Sequence, residues 1–120
     1  MPTQNNSGWI FDVQLADFDR RVLAASQQRP VLVDMWAEWC SPCLVIAPVL
    51  EQFIGEHQGR VALAKLEVDE GENMKLAGQY RVRGFPTVIL FEQGKEVARF
   101  SGARTIGYIR SFANKNISML

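Results

Sequence analysis

Val31-Leu32-Val33-Asp34-Met35-Trp36-Ala37-Glu38-Trp39-Cys40-Ser41-Pro42-Cys43 carries a nearly continuous apolar run into the two cysteines of this chain. Residues 31–37 are too apolar throughout for a half-exposed strand, so they belong in the centre of a sheet that is covered on both faces. From Leu44 to His57 apolar residues recur at helical spacing. The cysteines therefore stand at a strand-to-helix turn, with two residues between them. A small disulfide can close there and open again. A C-x-x-C pair beside a βαβ pattern is the layout of a dithiol redox site.

Other chemistry fits the pair less well. As a static staple the disulfide would be poor, because so short a loop removes little chain entropy. A zinc site wants four ligands, and the chain offers no further cysteine and only His57. No metal site is expected. A Cys-His hydrolase needs the imidazole within hydrogen-bond reach of the thiol. His57 lies 17 residues beyond Cys40, on the order of 25 Å along a helix.

The 120 residues suit one domain. A chain of this length buries roughly two-thirds of its unfolded surface, enough for a core without disulfide staples. Lysine plus arginine and aspartate plus glutamate both number 13, so the formal net charge is zero. There is no basic excess for nucleic acid and no acidic tail. The start, Met1-Pro2-Thr3-Gln4-Asn5-Asn6-Ser7-Gly8, lacks a positive segment followed by an apolar one, so no secretory signal is visible. No apolar run approaches the roughly 18–20 residues that span a bilayer. The expected setting is a reducing cytoplasm, where a cysteine pair is more often catalytic than structural.

Strand and helix patterns alternate along the chain, which argues an α/β architecture. Residues 1–8 read as a flexible N-terminal segment. Residues 9–115 read as the domain and 116–120 as a tail, the polar, aperiodic character beginning near 114. Leu15, Phe18, Val22 and Ala25 fall at helical spacing. Pro48 sits inside the helix after Cys43 and must bend it. Val61–Val68 alternates as a strand, and a short helix spans about 72–80. Residues 87–91 and 96–100 form a hairpin through Gln93-Gly94. Thr105 can N-cap a last helix carrying Ile106, Ile109, Phe112 and Ala113 on one face.

These segments together resemble the thioredoxin family. Val33 to Cys43 is similar to its active-site segment, with Ser41 where the common form has glycine. Ile46-Ala47-Pro48 resembles its kinked helix and Ala64-Lys65-Leu66-Glu67-Val68-Asp69 its third strand. Arg83-Gly84-Phe85-Pro86-Thr87 resembles its cis-proline loop. Phe91-Glu92-Gln93-Gly94-Lys95 and Gly102-Ala103 match the last hairpin and the loop after it. The similarity covers about residues 10–115, in order. It implies a thioredoxin fold, a central mixed five-stranded sheet flanked by four helices.

Cys40, at a helix N-terminus, faces unpaired N–H groups and the positive end of the helix dipole, which favour a thiolate. It is expected to be the exposed nucleophile, and Cys43, one turn further in, the buried resolving thiol. Asp34 interrupts the apolar strand and should be buried, with its carboxyl pKa raised by desolvation. From the residues alone it is either a proton carrier for Cys43 or a structural carboxylate in an ion pair or at the strand edge. The resemblance implies the former. Lys65, on the adjacent strand, is the candidate partner of Asp34, or else a lysine that snorkels to solvent. The resemblance also implies a cis Phe85-Pro86 bond opposite the cysteines. With it comes a flat substrate-binding patch formed by Trp39, Ser41, Pro42, Gly84, Phe85, Gly102 and Ala103, where main-chain hydrogen bonds hold an extended chain.

The expected activity is reduction of protein disulfides without a bound cofactor. By resemblance, a flavoprotein thioredoxin reductase that uses NADPH would return the electrons, and the domain would work as a monomer. Two other roles share the fold: a binding or co-chaperone module, and an oxidase or isomerase of an oxidising compartment. Leu44 stands where many relatives carry lysine, and Arg81 where they carry glycine. These departures, with Ser41, bear on redox poise and partner choice rather than on the class of chemistry.

Overall fold

The computed structural model describes residues 8–118 and 120. Most of the expected flexible start, residues 1–7, lies outside the described residues. Five strands form one sheet: β1 (Ile10–Asp12), β2 (Val31–Trp36), β3 (Ala62–Glu67), β4 (Thr87–Glu92) and β5 (Lys95–Ser101). Their order is β1-β3-β2-β4-β5. β1, β3 and β2 run parallel, and β4 and β5 antiparallel to their neighbours. β2 is thus central, as its apolar run requires. The helices are α1 (Ser41–His57), α2 (Met74–Gln79) and α3 (Ile106–Asn116), preceded by an irregular helical segment between β1 and β2.

That first segment is a 3-10 turn (Leu15–Asp17), a π-helical stretch (Asp19–Ala24) and another 3-10 turn (Ala25–Gln27). The 3.6-residue spacing of its apolar positions gives the buried face, with Phe18 and Val22 in the core, but it does not dictate which carbonyl each N–H reaches.

Strand pleating sends alternate residues of β2 to opposite faces. Val31, Val33 and Met35 pack with Phe18, Val22, Leu76 and Phe91 on one face. On the other, Leu32 packs with Ile46, Leu50 and Phe53 of α1 and Ile109 and Ala113 of α3. Asp34 shares the parity of Leu32. Burying each of the large aliphatic side chains contributes roughly 1.5–3 kcal/mol, and together these two layers clamp β2 and the turn that follows it.

Local signals place the remaining elements. Gln93 (φ 52°) and Gly94 (φ 78°) both adopt the left-handed conformation that a two-residue hairpin turn between twisted strands needs. Ser26 secures this turn: its carbonyl accepts from Gln93 N–H and its Oγ from Gly94 N–H. The Thr105 hydroxyl accepts the Tyr108 N–H at 3.1 Å and starts α3. The polar stretch from 114, expected to be loose, continues α3 to Asn116, and Ile117 is buried against the α1 face. The helix propagates because Ile117 has an apolar surface to cover beyond the last polar turn.

Asn73, just before α2, was not singled out by any sequence pattern. It is buried, its Oδ1 accepting the Leu15 N–H at 2.8 Å. Its Nδ2 donates to the Gln14 side chain at 2.8 Å and to the Glu67 carbonyl at 2.9 Å. Asn73→Ala strands the Leu15 N–H and removes one of the two bonds to the Glu67 carbonyl, which still accepts the Glu70 N–H. We expect it to lower the urea-unfolding free energy by about 1–3 kcal/mol while leaving disulfide reduction nearly unchanged. A loss too small to measure would mean that solvent replaces these bonds at no cost.

Candidate active site

β2 ends at Trp36, and a short turn brings the chain to Cys40, the N-cap of α1. Cys40 is extended (φ −99°, ψ 102°), and its Sγ accepts the Cys43 N–H at 3.2 Å. Pro42 lies in the first helical turn, where its missing N–H leaves nothing unpaired. Cys40 and Cys43 form a disulfide with their Cα atoms 5.3 Å apart.

Cys40, expected to be exposed, is buried like Cys43, the residues being 4 % and 1 % exposed, because the proline loop covers it. The proline loop crosses Cys40, and the Phe85 carbonyl oxygen lies 3.4 Å from its Sγ. In the reduced state a Cys40 thiol would point an S–H donor at this oxygen.

Phe85-Pro86 is cis. Pro86 is buried, and its carbonyl accepts the Gly102 N–H at 2.9 Å, which ties the 102–103 turn to the loop. The Gly84 carbonyl accepts the Thr87 hydroxyl at 2.7 Å. Trp39 is 66 % exposed and sets its ring edge-on to Phe85, with centroids 6.1 Å apart. Its indole N–H donates to Asp69 Oδ2 at 2.5 Å, which fixes the ring without covering it. Ser41, Pro42, Gly84 and Ala103 are exposed. Leu44 and Val45 extend an exposed apolar strip along α1. Trp36 packs against the cluster that holds both cysteines.

Asp34 is 1 % exposed and its Oδ1 has no hydrogen-bond partner. Desolvation pushes its carboxyl up from 3.8 to about 7, against a smaller opposing pull from Lys65. Lys65 is its register partner on β3. The expected Asp34–Lys65 pair is nevertheless not made as a contact. The Lys65 ammonium lies 3.5 Å from Glu51 Oε2 and 5.6 Å above the Trp36 ring. A lysine stem is long enough to carry its charge past a buried carboxylate to a better-hydrated one. Glu51 was missed by sequence reasoning. The available signal was helical: it lies seven residues after Leu44, on the same side of α1 two turns down.

His57 lies in the last turn of α1, stacked on Phe53 with ring centroids 4.3 Å apart and Nδ1 3.0 Å from the Phe53 carbonyl oxygen. The helix length keeps it away from the thiols, as expected. Among the described residues, no group of three or more His, Cys, Asp or Glu side chains is placed to hold a metal ion. Arg81 adopts φ 57°, a left-handed conformation in which a side chain costs roughly 1–2 kcal/mol.

Two sulfurs that close a ring across one turn of helix can take up or release two electrons by exchange with another disulfide. The class this defines is a protein dithiol–disulfide oxidoreductase. A family model described as Thioredoxin matches residues 10–115, and the chain belongs to the thioredoxin family. It is 43% identical over 108 residues to a thioredoxin of Pseudomonas aeruginosa, covering 90% of this chain and 96% of that protein. It is 42% identical over 100 residues to a thioredoxin of Acidithiobacillus ferridurans, covering 83% of this chain and 89% of the relative. It also matches a bifunctional thioredoxin reductase/thioredoxin of Mycobacterium leprae, at 42% identity over 104 residues, 87% of this chain and 22% of that protein.

Proposed function

We propose that this chain works as a monomer in the cytoplasm, reducing disulfides of other proteins with Cys40 as the attacking sulfur. The Cys40 thiolate displaces one sulfur of a substrate disulfide, giving a mixed disulfide and one substrate thiolate. The Cys43 thiol then gives its proton to the Asp34 carboxylate, directly or through one water, and attacks Cys40. The Cys40–Cys43 disulfide re-forms and the second substrate thiolate leaves, taking up a proton. Two electrons have passed to the substrate. Lys65 tunes Asp34 at a distance.

The observation that carries this reading is the asymmetry of the pair. Cys40 caps the helix under the Phe85 carbonyl and beside the exposed Trp39, whereas Cys43 lies within the first turn of α1. Trp39, Ser41, Pro42, Gly84, Phe85, Gly102 and Ala103 surround Cys40 as the surface on which an extended substrate segment rests, and Pro86 shapes the loop. The covalent union of reductase and thioredoxin in the name of the Mycobacterium leprae relative supports a thioredoxin reductase as the electron source, in this proposal a flavoprotein fed by NADPH. No helix among the described residues is long and apolar enough to cross a membrane.

The test is reconstitution. With NADPH and a thioredoxin reductase, the protein should reduce insulin and consume one NADPH for each disulfide opened. NADPH left unspent, with dithiothreitol still able to drive insulin reduction, would reject the proposed electron source. Failure with both reductants would reject the reductase reading and favour a binding module.

A further inference from the structure

We propose that Glu51 is a positioning residue for the dithiol chemistry: by holding the Lys65 ammonium, it denies Asp34 an ion-pair partner and leaves the buried carboxyl free to exchange a proton. The inference rests on the reading of Asp34 as the proton carrier.

Lys65 has three carboxylates to choose from. Its register partners are Asp12 on β1 and Asp34 on β2, and Glu51 reaches it from α1. Residues in register on parallel strands point to the same face, so the Lys65 stem lies between the two aspartates. Its ammonium goes to Glu51, at 3.5 Å, and the pair is partly covered, with side-chain exposures of 14 % for Lys65 and 28 % for Glu51. Asp34 is left with an unpartnered buried oxygen. A buried carboxylate with a lysine in contact would be held ionised and would give up its affinity for a proton. A buried carboxylate without one stays basic near neutral pH, which is what a proton carrier needs.

Among the described residues, the other surroundings of Asp34 offer no competing charge. β4 places Val88 opposite it in register, and the α3 residues packed on this face, Ile109 and Ala113, are apolar. Arg110 of α3 is engaged by Glu56. On β3 the next residue of the same parity, Glu67, is in register with Trp36 rather than Asp34. From α1, Glu51 reaches Lys65, and the disulfide leaves both cysteines uncharged. The charge on Lys65, and where Glu51 keeps it, is therefore the main variable electrostatic influence on Asp34.

The experiment follows the Asp34 carboxyl carbon by NMR titration of the oxidised protein, in which neither cysteine titrates. Glu51→Gln frees Lys65 to turn inward, and the Asp34 midpoint should fall by about 1–2 pH units. The acid limb of the insulin-reduction pH profile should move down with it. Removing the Glu51 charge also lowers the midpoint directly, so the same substitution is made in Lys65→Met. There Glu51→Gln should lower the midpoint only by that smaller, direct amount. An equal fall in the Lys65→Met background would overturn the positioning role, as would an unchanged or raised midpoint in Glu51→Gln alone, including the case in which Lys65 moves to Asp12. The underlying reading has its own control in Asp34→Asn. If that variant reduces insulin at the full rate while the midpoints move as expected, Asp34 is not the proton carrier, although Glu51 still holds Lys65.

Discussion

Cys40→Ser is expected to reduce insulin no faster than the reductant alone, because the substitution removes the sulfur that opens the substrate. A serine hydroxyl cannot replace it: thiol–disulfide exchange requires a thiolate. Cys43→Ser should fail differently. The attack by Cys40 survives, but nothing within the protein can release the mixed disulfide, so turnover stops with substrate covalently attached. Mass spectrometry after incubation with a disulfide-containing protein separates the two cases. Cys43→Ser should accumulate the adduct in near-stoichiometric amounts, and Cys40→Ser very little. Limiting iodoacetamide on the reduced wild type should label Cys40 first, since its N-cap position favours the thiolate. Preferential labelling of Cys43, or adducts trapped mainly by Cys40→Ser, would reverse the assignment.

The parts of the fold that sequence expressed most clearly are those governed by one dominant local rule. Apart from Asp34, the run from Val31 to Ala37 is apolar on both parities, and β2 has neighbours on both edges and layers on both faces. Gln93-Gly94 and Thr105 each act through a backbone conformation or cap that few other residues would supply as well. The C-x-x-C turn belongs with them, because the strand before it and the helix after it are both readable.

The features that were not legible depend on what a residue meets rather than on what it is. Ile117 looks like part of a polar tail until the α1 face is there to receive it. β1 has three residues and is held by pairing with β3, too short to show an alternation of its own. The covering of Cys40 comes from a loop 45 residues away. The choice of Glu51 over Asp34 by Lys65 joins a helix to a strand. Periodicity placed the lysine beside the aspartate correctly, but it could not say which carboxylate its flexible stem would reach.

Asp34 is the site where function should cost stability, and the sign of that cost can be measured. Its carboxyl stands at about 7 in the folded chain, against 3.8 for the exposed group, with desolvation the larger cause and Lys65 opposing it. The folded state therefore binds this proton more tightly than the unfolded state. The contribution is fully favourable below the unfolded value and is lost as pH rises through about 7. A separation of about three pH units corresponds to a loss on the order of 4 kcal/mol between strongly acidic solution and pH 8. Asp34→Asn carries no charge in either state and lacks this slope. Urea unfolding should find the variant more stable than wild type at pH 8, with the advantage shrinking through pH 6 and gone below about pH 4. The same substitution removes the proton acceptor for Cys43, so release of mixed disulfide, and with it insulin reduction, should slow. The two readouts must move in opposite directions: a more stable protein and a slower one. An Asp34→Asn variant that is less stable at neutral pH and reduces insulin at the wild-type rate would identify Asp34 as a satisfied structural ion. In that case the lysine would have to reach it in solution, and the proton that Cys43 loses would have to leave by another route.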